Sequence, residues 1–285
     1  MTKEQLEEHR LTMEFYLDEC EINPKEDVSY PEPAISCGFK SYETKNGVVE
    51  YPTPIGTYGN FSFVQAPPKS KKTFFTSLLS ATYLSNQIDG FTGDLKGYRK
   101  GKHLIHFDTE QSNWHASKVF RRPLEMKEPE DLDKYHTYAL RSLSYKARIE
   151  LIEFILYDKL EGQDIGLVII DGIADLCADV NNIEESNAVV QNLMRWTKEL
   201  NCHIITVIHS NFGTDKPTGH LGSFLEKKAE TQIQLELNTV NKDLVKVSCK
   251  RSRNASFEEF NFKVNNFGLP QVEGDLYDIL KDIKC

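Results

Sequence analysis

The sequence predicts an α/β protein with a mostly parallel central sheet, helices on its faces and antiparallel strands added near its C-terminal end. Three observations carry this. Between residues 61 and 208, apolar runs of strand length alternate with helical patterns, the order that gives parallel strands joined by helical crossovers. A lysine-rich loop, APPKSKKT (66–73), joins one such strand directly to a helix. After Leu221 the strands follow one another too closely for crossover helices, so they extend the sheet in antiparallel fashion.

Taken in order, residues 1–20 carry Leu6, Leu11, Met13, Phe15 and Leu17 among many charges, the pattern of a short, imperfectly amphipathic helix. From there to Tyr58 the chain is punctuated by Pro24, Pro31, Pro33, Pro52 and Pro54, which predicts an arm with short strands. The expected division is a helix and arm over 1–58 and a core domain over 59–285. Within the core we expect a strand FSFVQA (61–66), a helix from about Lys72, a strand HLIHF (103–107), a helix after Glu110 and a strand near YHTYAL. A helix over 144–160, the strand IGLVII (165–170), a helix over 185–200 and the strand HIITVI (203–208) complete the alternation. Strands TQIQLEL (231–237), LVKVSCK (244–250) and FEEFNFKV (257–264) follow, with Asn238 to Asp243 as a hairpin turn.

Composition excludes several classes. The chain has 285 residues, 39% of them hydrophobic and 27% charged, which is the make-up of a globular domain. Its apolar runs are strand-sized, far short of the ~20 residues that cross a bilayer, and the acidic N-terminus lacks the apolar stretch of a signal peptide. A cytoplasmic protein without a membrane partner is expected. The six cysteines form no CxxC pair and read as reduced thiols; His103, His106 and His115 lack the spacing of a zinc site. Trp114 and Trp196 read as packing residues. A net charge of −9 argues against coating nucleic acid with the whole surface, and leaves room for local contacts through a few loops.

The chemistry concentrates at four strand ends. APPKSKKT sits where a phosphate-binding loop must sit, after a strand and before a helix. Lys72 and Thr73 occupy the Lys and Thr positions of a Walker A frame, Pro67, Pro68, Lys69 and Ser70 fill the loop, and Phe74 follows it in the helix. Ala66 and Lys71 stand where the frame has glycines, and Lys71 loses glycine's freedom at positive φ. Taken alone, the pattern also fits a solvated turn. IGLVIID supplies the acid that a nucleotide-bound Mg2+ needs, at Asp171. HLIHFDTEQS carries Asp108 and Glu110 at its strand end; Glu110 suits polarising a water, or serving as an N-cap or first-turn acid of the next helix. TVIHSN brings His209 and Asn211 to a fourth strand end, as a γ-phosphate sensor or as a satisfied histidine.

In this order the motifs resemble the RecA-like P-loop ATPases, and within them the DnaB-like and RepA-like hexameric helicase group of phages, plasmids and bacteria, over about residues 50–270. The resemblance implies ATP and Mg2+ as cofactors, Lys72 and the loop backbone on the phosphates, Thr73 and Asp171 at the metal, Glu110 activating water and His209 sensing the γ-phosphate. HSNFGTDKPTGHLGSFLEKKAET is similar to the loop and helix this group places near its central channel. Lys216 and His220 would there touch nucleic-acid phosphates; alternatively Gly213, Pro217, Gly219 and Gly222 simply make a mobile loop. CKRSRNAS resembles the group's last motif, in which basic side chains reach a neighbouring subunit's ATP, so Arg251 and Arg253 are the candidates; alternatively they are surface charges on an edge strand. The implied partners are further copies in a ring, a hexamer among the expected sizes, together with single-stranded DNA or RNA and replication or recombination proteins, in a bacterial cell or phage-infected host. The expected function is a helicase-type ATPase. The alternatives are a loader, recombination mediator or nucleotide-gated regulator without helicase activity, or a non-catalytic binding module. The missing glycines favour the module; Lys72, Thr73, Asp171 and Glu110 together oppose it.

Overall fold

The computed structural model describes residues 2–26, 29–44, 47–211 and 216–274, and the chain divides into two units, Met1–Pro31 and Glu32–Cys285. The first contains helix α1 (Lys3–Cys20). Thr2 caps it: its hydroxyl accepts from the Gln5 backbone N–H while the Gln5 side chain accepts from the Thr2 N–H. No residue of α1 is buried, and Leu6, Leu11, Phe15 and Leu17 are exposed.

The second unit runs β1 (Pro33–Thr44), β2 (Gly47–Thr57), β3 (Phe61–Ala66), α2 (Lys72–Ser85), β4 (Leu95–Gly97), β5 (His103–Asp108), α3 (Asn113–Met126), β6 (Tyr135–Ala139) and α4 (Tyr145–Glu153). It continues through β7 (Ile165–Asp171), α5 (Ile183–Leu200), β8 (His203–His209), α6 (Gly219–Lys228), β9 (Thr231–Leu237), β10 (Leu244–Ser252), β11 (Phe260–Val264) and β12 (Pro270–Val272). β1 and β2 are 12 and 11 residues long rather than short. The prolines do not break them because register shifts between Pro33 and Phe39 absorb the irregularity. They form a three-stranded sheet with β4, in the order β2-β1-β4. The helix expected over 144–160 is α-helical to Glu153 and closes as a π-helical segment over Phe154–Lys159.

The main sheet has the order β12-β11-β10-β9-β3-β8-β7-β5-β6. From β9 to β6 neighbouring strands are parallel, and β10, β11 and β12 add antiparallel strands beside β9. Both faces are covered, so the central strands are buried and mostly apolar, and their alternate residues feed two cores. Leu167 and Ile169 of β7, with Ile205 and Val207 of β8, pack beside Leu78 and Leu79 of α2. Val168 and Ile170, with Ile204 and Ile208, pack beside Val189, Leu193 and Trp196 of α5. The parallel registers set Ala66 opposite His209, Asp171 opposite Val207 and Asp108 opposite Asp171, which lines the functional strand ends along one edge.

Cys37, Cys177 and Cys202 are buried, Cys20 is exposed and all four are free thiols; Cys285 lies outside the described residues. No helix among the described residues is long and apolar enough to cross a membrane.

His106 of β5 is fully buried, tilted edge-on to Phe120 at 5.2 Å, with neither ring nitrogen hydrogen-bonded among the described residues. Burial lowers its pKa from 6.5 to about 3. As pH falls below about 6.5 the unfolded chain therefore binds this proton first, and stability is lost progressively down to about pH 3. In His106→Met that linkage is gone. Denaturant titrations between about pH 6 and 4 are expected to give a pH dependence shallower than wild type by about 1.4 kcal/mol per unit. Equal slopes would show that the folded state already accommodates the charged ring.

Candidate active site

The loop 66–73 leaves the end of β3 and enters α2 as the motif requires. Ala66, Ser70 and Lys72 are buried, while Pro67, Pro68 and Lys69 are exposed. Ser70 closes the loop on itself, its hydroxyl donating to the Pro67 carbonyl at 2.6 Å. Lys69 and Lys71 take φ of 63° and 62°, the left-handed conformation glycine adopts freely. At Lys71 this costs about 1–2 kcal/mol. Its Nζ donates to the Asp243 carbonyl at 3.0 Å, which ties the loop to the turn between β9 and β10. Thr73 and Phe74 are half-buried in the first turn of α2, and the Arg122 guanidinium covers the Phe74 ring at 3.9 Å.

Beside the loop lies a group of acids. Asp171, at the end of β7, is buried, and its carboxyl is pushed up to about 7 by burial and then by Asp108 and Glu110. The hydroxyl of Thr76, one turn beyond Thr73, lies 3.4 Å from Asp171 Oδ2. Asp108 is also buried and raised; its Oδ1 accepts from the Glu110 and Gln111 amides, while Oδ2 has no partner among the described residues. Two buried, raised carboxylates with an orphaned oxygen suit a nearby hydrated cation, because added positive charge would relieve both. The donor set therefore fits Mg2+ near Thr73 and Asp171.

Lys72, His209 and Glu110 form a chain across the strand ends. Lys72 Nζ is 3.0 Å from His209 Nδ1 and 3.3 Å from the Pro67 carbonyl. Since the ammonium can only donate, Nδ1 accepts and Nε2–H faces Glu110 Oε1, 3.6 Å away. Burial lowers the Lys72 pKa, and the facing His209 ring holds the Glu110 carboxyl below the usual range. Glu110 stands two residues before Ser112, the N-cap of α3, so it is neither the N-cap nor a first-turn acid of that helix. An ideal Cβ on Gly172 would lie 2.8 Å from Glu110 Oε1, so the glycine after Asp171 leaves room for this carboxylate.

The remaining candidates lie elsewhere. Arg251 and Arg253 are exposed and sit toward the start of β3: Arg251 pairs with Gln232, which is level with Phe63, and the Arg253 amide donates to the Glu230 carbonyl. They do not join this chain's own phosphate loop. Lys216 and His220 are exposed, the latter in α6. Gly219 and Gly222 are packed rather than loose, since a Cβ at either would lie 2.6 Å from backbone atoms of Val180 or Pro217; Gly213 lies outside the described residues. Trp196 is buried as expected, but Trp114 is 61% exposed, with Lys118 Nζ 3.8 Å above its ring. It stands in the first turn of α3, outside the core. Sequence reasoning missed Thr76, Thr109, Asp175 and Arg148, all tied to the site by hydrogen bonds; for Thr76 and Asp175 the available signal was their spacing, three residues after Thr73 and four after Asp171.

Residues 56–215, more than half of the chain, match a family model described as an AAA domain. No curated protein matches the sequence. Among solved structures, the crystal structure of the RadB recombinase is similar with a TM-score of 0.51 at 17% identity, covering 74% of this chain and 90% of that one. The shared fold is the RecA-like α/β fold.

Proposed function

The chain belongs to the AAA domain family, a family of ATPases, and from that premise we propose that it hydrolyses Mg-ATP at the strand ends bearing Lys72, Glu110, Asp171 and His209 and couples turnover to single-stranded nucleic acid. The observation that carries this reading is the Lys72–His209–Glu110 chain lying beside the buried Asp171. It brings an ammonium, an ionised carboxylate and a buried carboxyl to one place, groups whose chemistry suits a phosphate-binding cation, a base and a metal-anchoring acid. Lys72, the amides of 67–73 and the N-terminus of α2 bind the β- and γ-phosphates. Thr73 and Asp171 would hold Mg2+, which when bound would neutralise charge developing on the transferred phosphoryl group. Glu110 orients the attacking water.

The finer reading is a DnaB-like or RepA-like motor that works as a ring of identical subunits in replication or recombination. Its support is placement. Arg251 and Arg253 are solvent-facing and remote from their own site, as a residue completing a neighbour's site must be. His209 is joined to the start of α6, near Lys216 and His220, by Thr218, whose N–H and hydroxyl both donate to the His209 carbonyl. A loader, mediator or nucleotide-gated regulator remains the second reading, favoured by the acidic net charge of −9.

ATP hydrolysis measured over a range of protein concentrations, with and without single-stranded DNA or RNA, separates these. The motor predicts specific activity that rises with concentration and with added strand, and that falls on the order of 10³-fold when Arg251 and Arg253 are both replaced by Ala. Turnover indifferent to strand and concentration would leave the regulator; no turnover under any condition would sink the ATPase reading.

A further inference from the structure

We infer that Arg148 is a positioning residue of the nucleotide site: its guanidinium ties together the loops leaving β5, β6 and β7 and so fixes Glu110 relative to Asp171. The inference rests on the reading of the site just given. Arg148 lies in the first turn of α4 with its side chain 11% exposed. Nε donates to the Leu140 carbonyl at 3.1 Å, Nη1 to that of Asp175 at 2.7 Å, and Nη2 to those of Thr109 and Arg141 at 3.3 and 3.2 Å. Nη1 also lies 3.5 Å from the Asp175 carboxylate. These carbonyls follow the ends of three parallel strands, beyond their paired residues, where the sheet no longer sets the spacing of the chains.

Thr109 carries the linkage inward. Its hydroxyl accepts from the Gly172 amide at 2.9 Å and lies 2.7 Å from Asp175 Oδ2, and its own amide donates to the Asp171 carbonyl at 2.8 Å. Glu110 is the next residue, with its carboxylate against Gly172. Arg148 therefore holds the carbonyl side of Thr109 while Thr109 holds Gly172, and the peptide between them sets where Glu110 stands. A misplacement of about 1 Å at such a group is enough to cost about 10²-fold in rate. Lysine cannot substitute, because one ammonium on a flexible stem cannot span carbonyls from three loops as the rigid guanidinium fork does.

The test compares wild type with Arg148→Lys and with Thr109→Val, which cuts the same linkage one step closer to the site. Single-turnover hydrolysis, equilibrium ATP affinity and hydrogen–deuterium exchange over 106–112 and 170–176 are measured on each. The expected result is a rate about 10²-fold lower with ATP affinity within about threefold of wild type, and faster exchange confined to those two segments. Turnover within about twofold of wild type in both variants, or exchange that rises across the whole sheet with the rate per folded molecule unchanged, would overturn the assignment. A wild-type protein that turns over no ATP sinks the ATPase reading instead. The exchange measurement then decides the linkage alone, since unaltered protection of both segments in both variants overturns it.

Discussion

Glu110→Gln is expected to lower single-turnover ATP hydrolysis by about 10²- to 10⁴-fold while leaving ATP affinity close to wild type. The substitution preserves shape, so the carboxamide still fits against Gly172, and what it removes is the charge. In the wild type that charge is secured by the facing His209 ring, which lowers the Glu110 pKa. A carboxyl lowered in this way stays ionised at neutral and mildly acidic pH, so the wild-type rate should not fall through loss of this base until pH drops below the ordinary carboxylate range. Rapid-quench measurement of product, beside equilibrium binding of a fluorescent ATP analogue, separates chemistry from binding. A variant within threefold or so of the wild-type rate would show that water is activated by another group and that Glu110 only completes the acidic cluster.

Lys72→Ala is expected to abolish measurable turnover and to weaken ATP binding about 10- to 100-fold, the loss that follows from removing one charge-assisted phosphate contact worth about 1.5–3 kcal/mol. The stability of the nucleotide-free protein should change far less. Lys72 is itself buried with a lowered pKa, so deleting it removes a desolvated cation as well as the hydrogen bond to His209. Calorimetric titration with ATP and Mg2+, paired with thermal unfolding of the free protein, reads both quantities. Unchanged ATP affinity would move the phosphate site away from this loop.

The strand ends were legible in the sequence because buried parallel strands are nearly uniform apolar runs, and a polar residue that ends such a run stands out. HLIHFD, IGLVIID and HIITVIH each announce the residue that matters by ending on it or just before it, whereas FSFVQA runs into the lysine-rich loop that carries Lys72. β1 and β2 were not legible as long strands. Prolines at 52 and 54 read as breaks, whereas their partners Phe39 and Ser36 pair across a distorted register that only the folded hairpin supplies. The roles of Arg148 and Thr109 were hidden for a different reason. Their partners are mostly backbone groups from other strands, and a carbonyl oxygen leaves no mark on residue type. Thr76 was overshadowed by Thr73, because a motif frame names one hydroxyl whereas a helix turn presents two to the same side. Trp114 was misplaced because its size suggested burial, while the helix start that carries it faces outward.

The position of β3 in the sheet has a consequence for how the protein is made. The strand that delivers the phosphate loop is flanked by β8 on one side and β9 on the other, and both partners are encoded far downstream. As the chain leaves the ribosome, residues 61–66 emerge long before either neighbour exists. The loop tether at Asp243 is later still. Closing so long a separation is slow, since the entropy of bringing distant segments together must be met before the contacts form. The nucleotide site is thus among the last features to be completed during synthesis, and a nascent chain arrested before β9 leaves one edge of β3 unpaired.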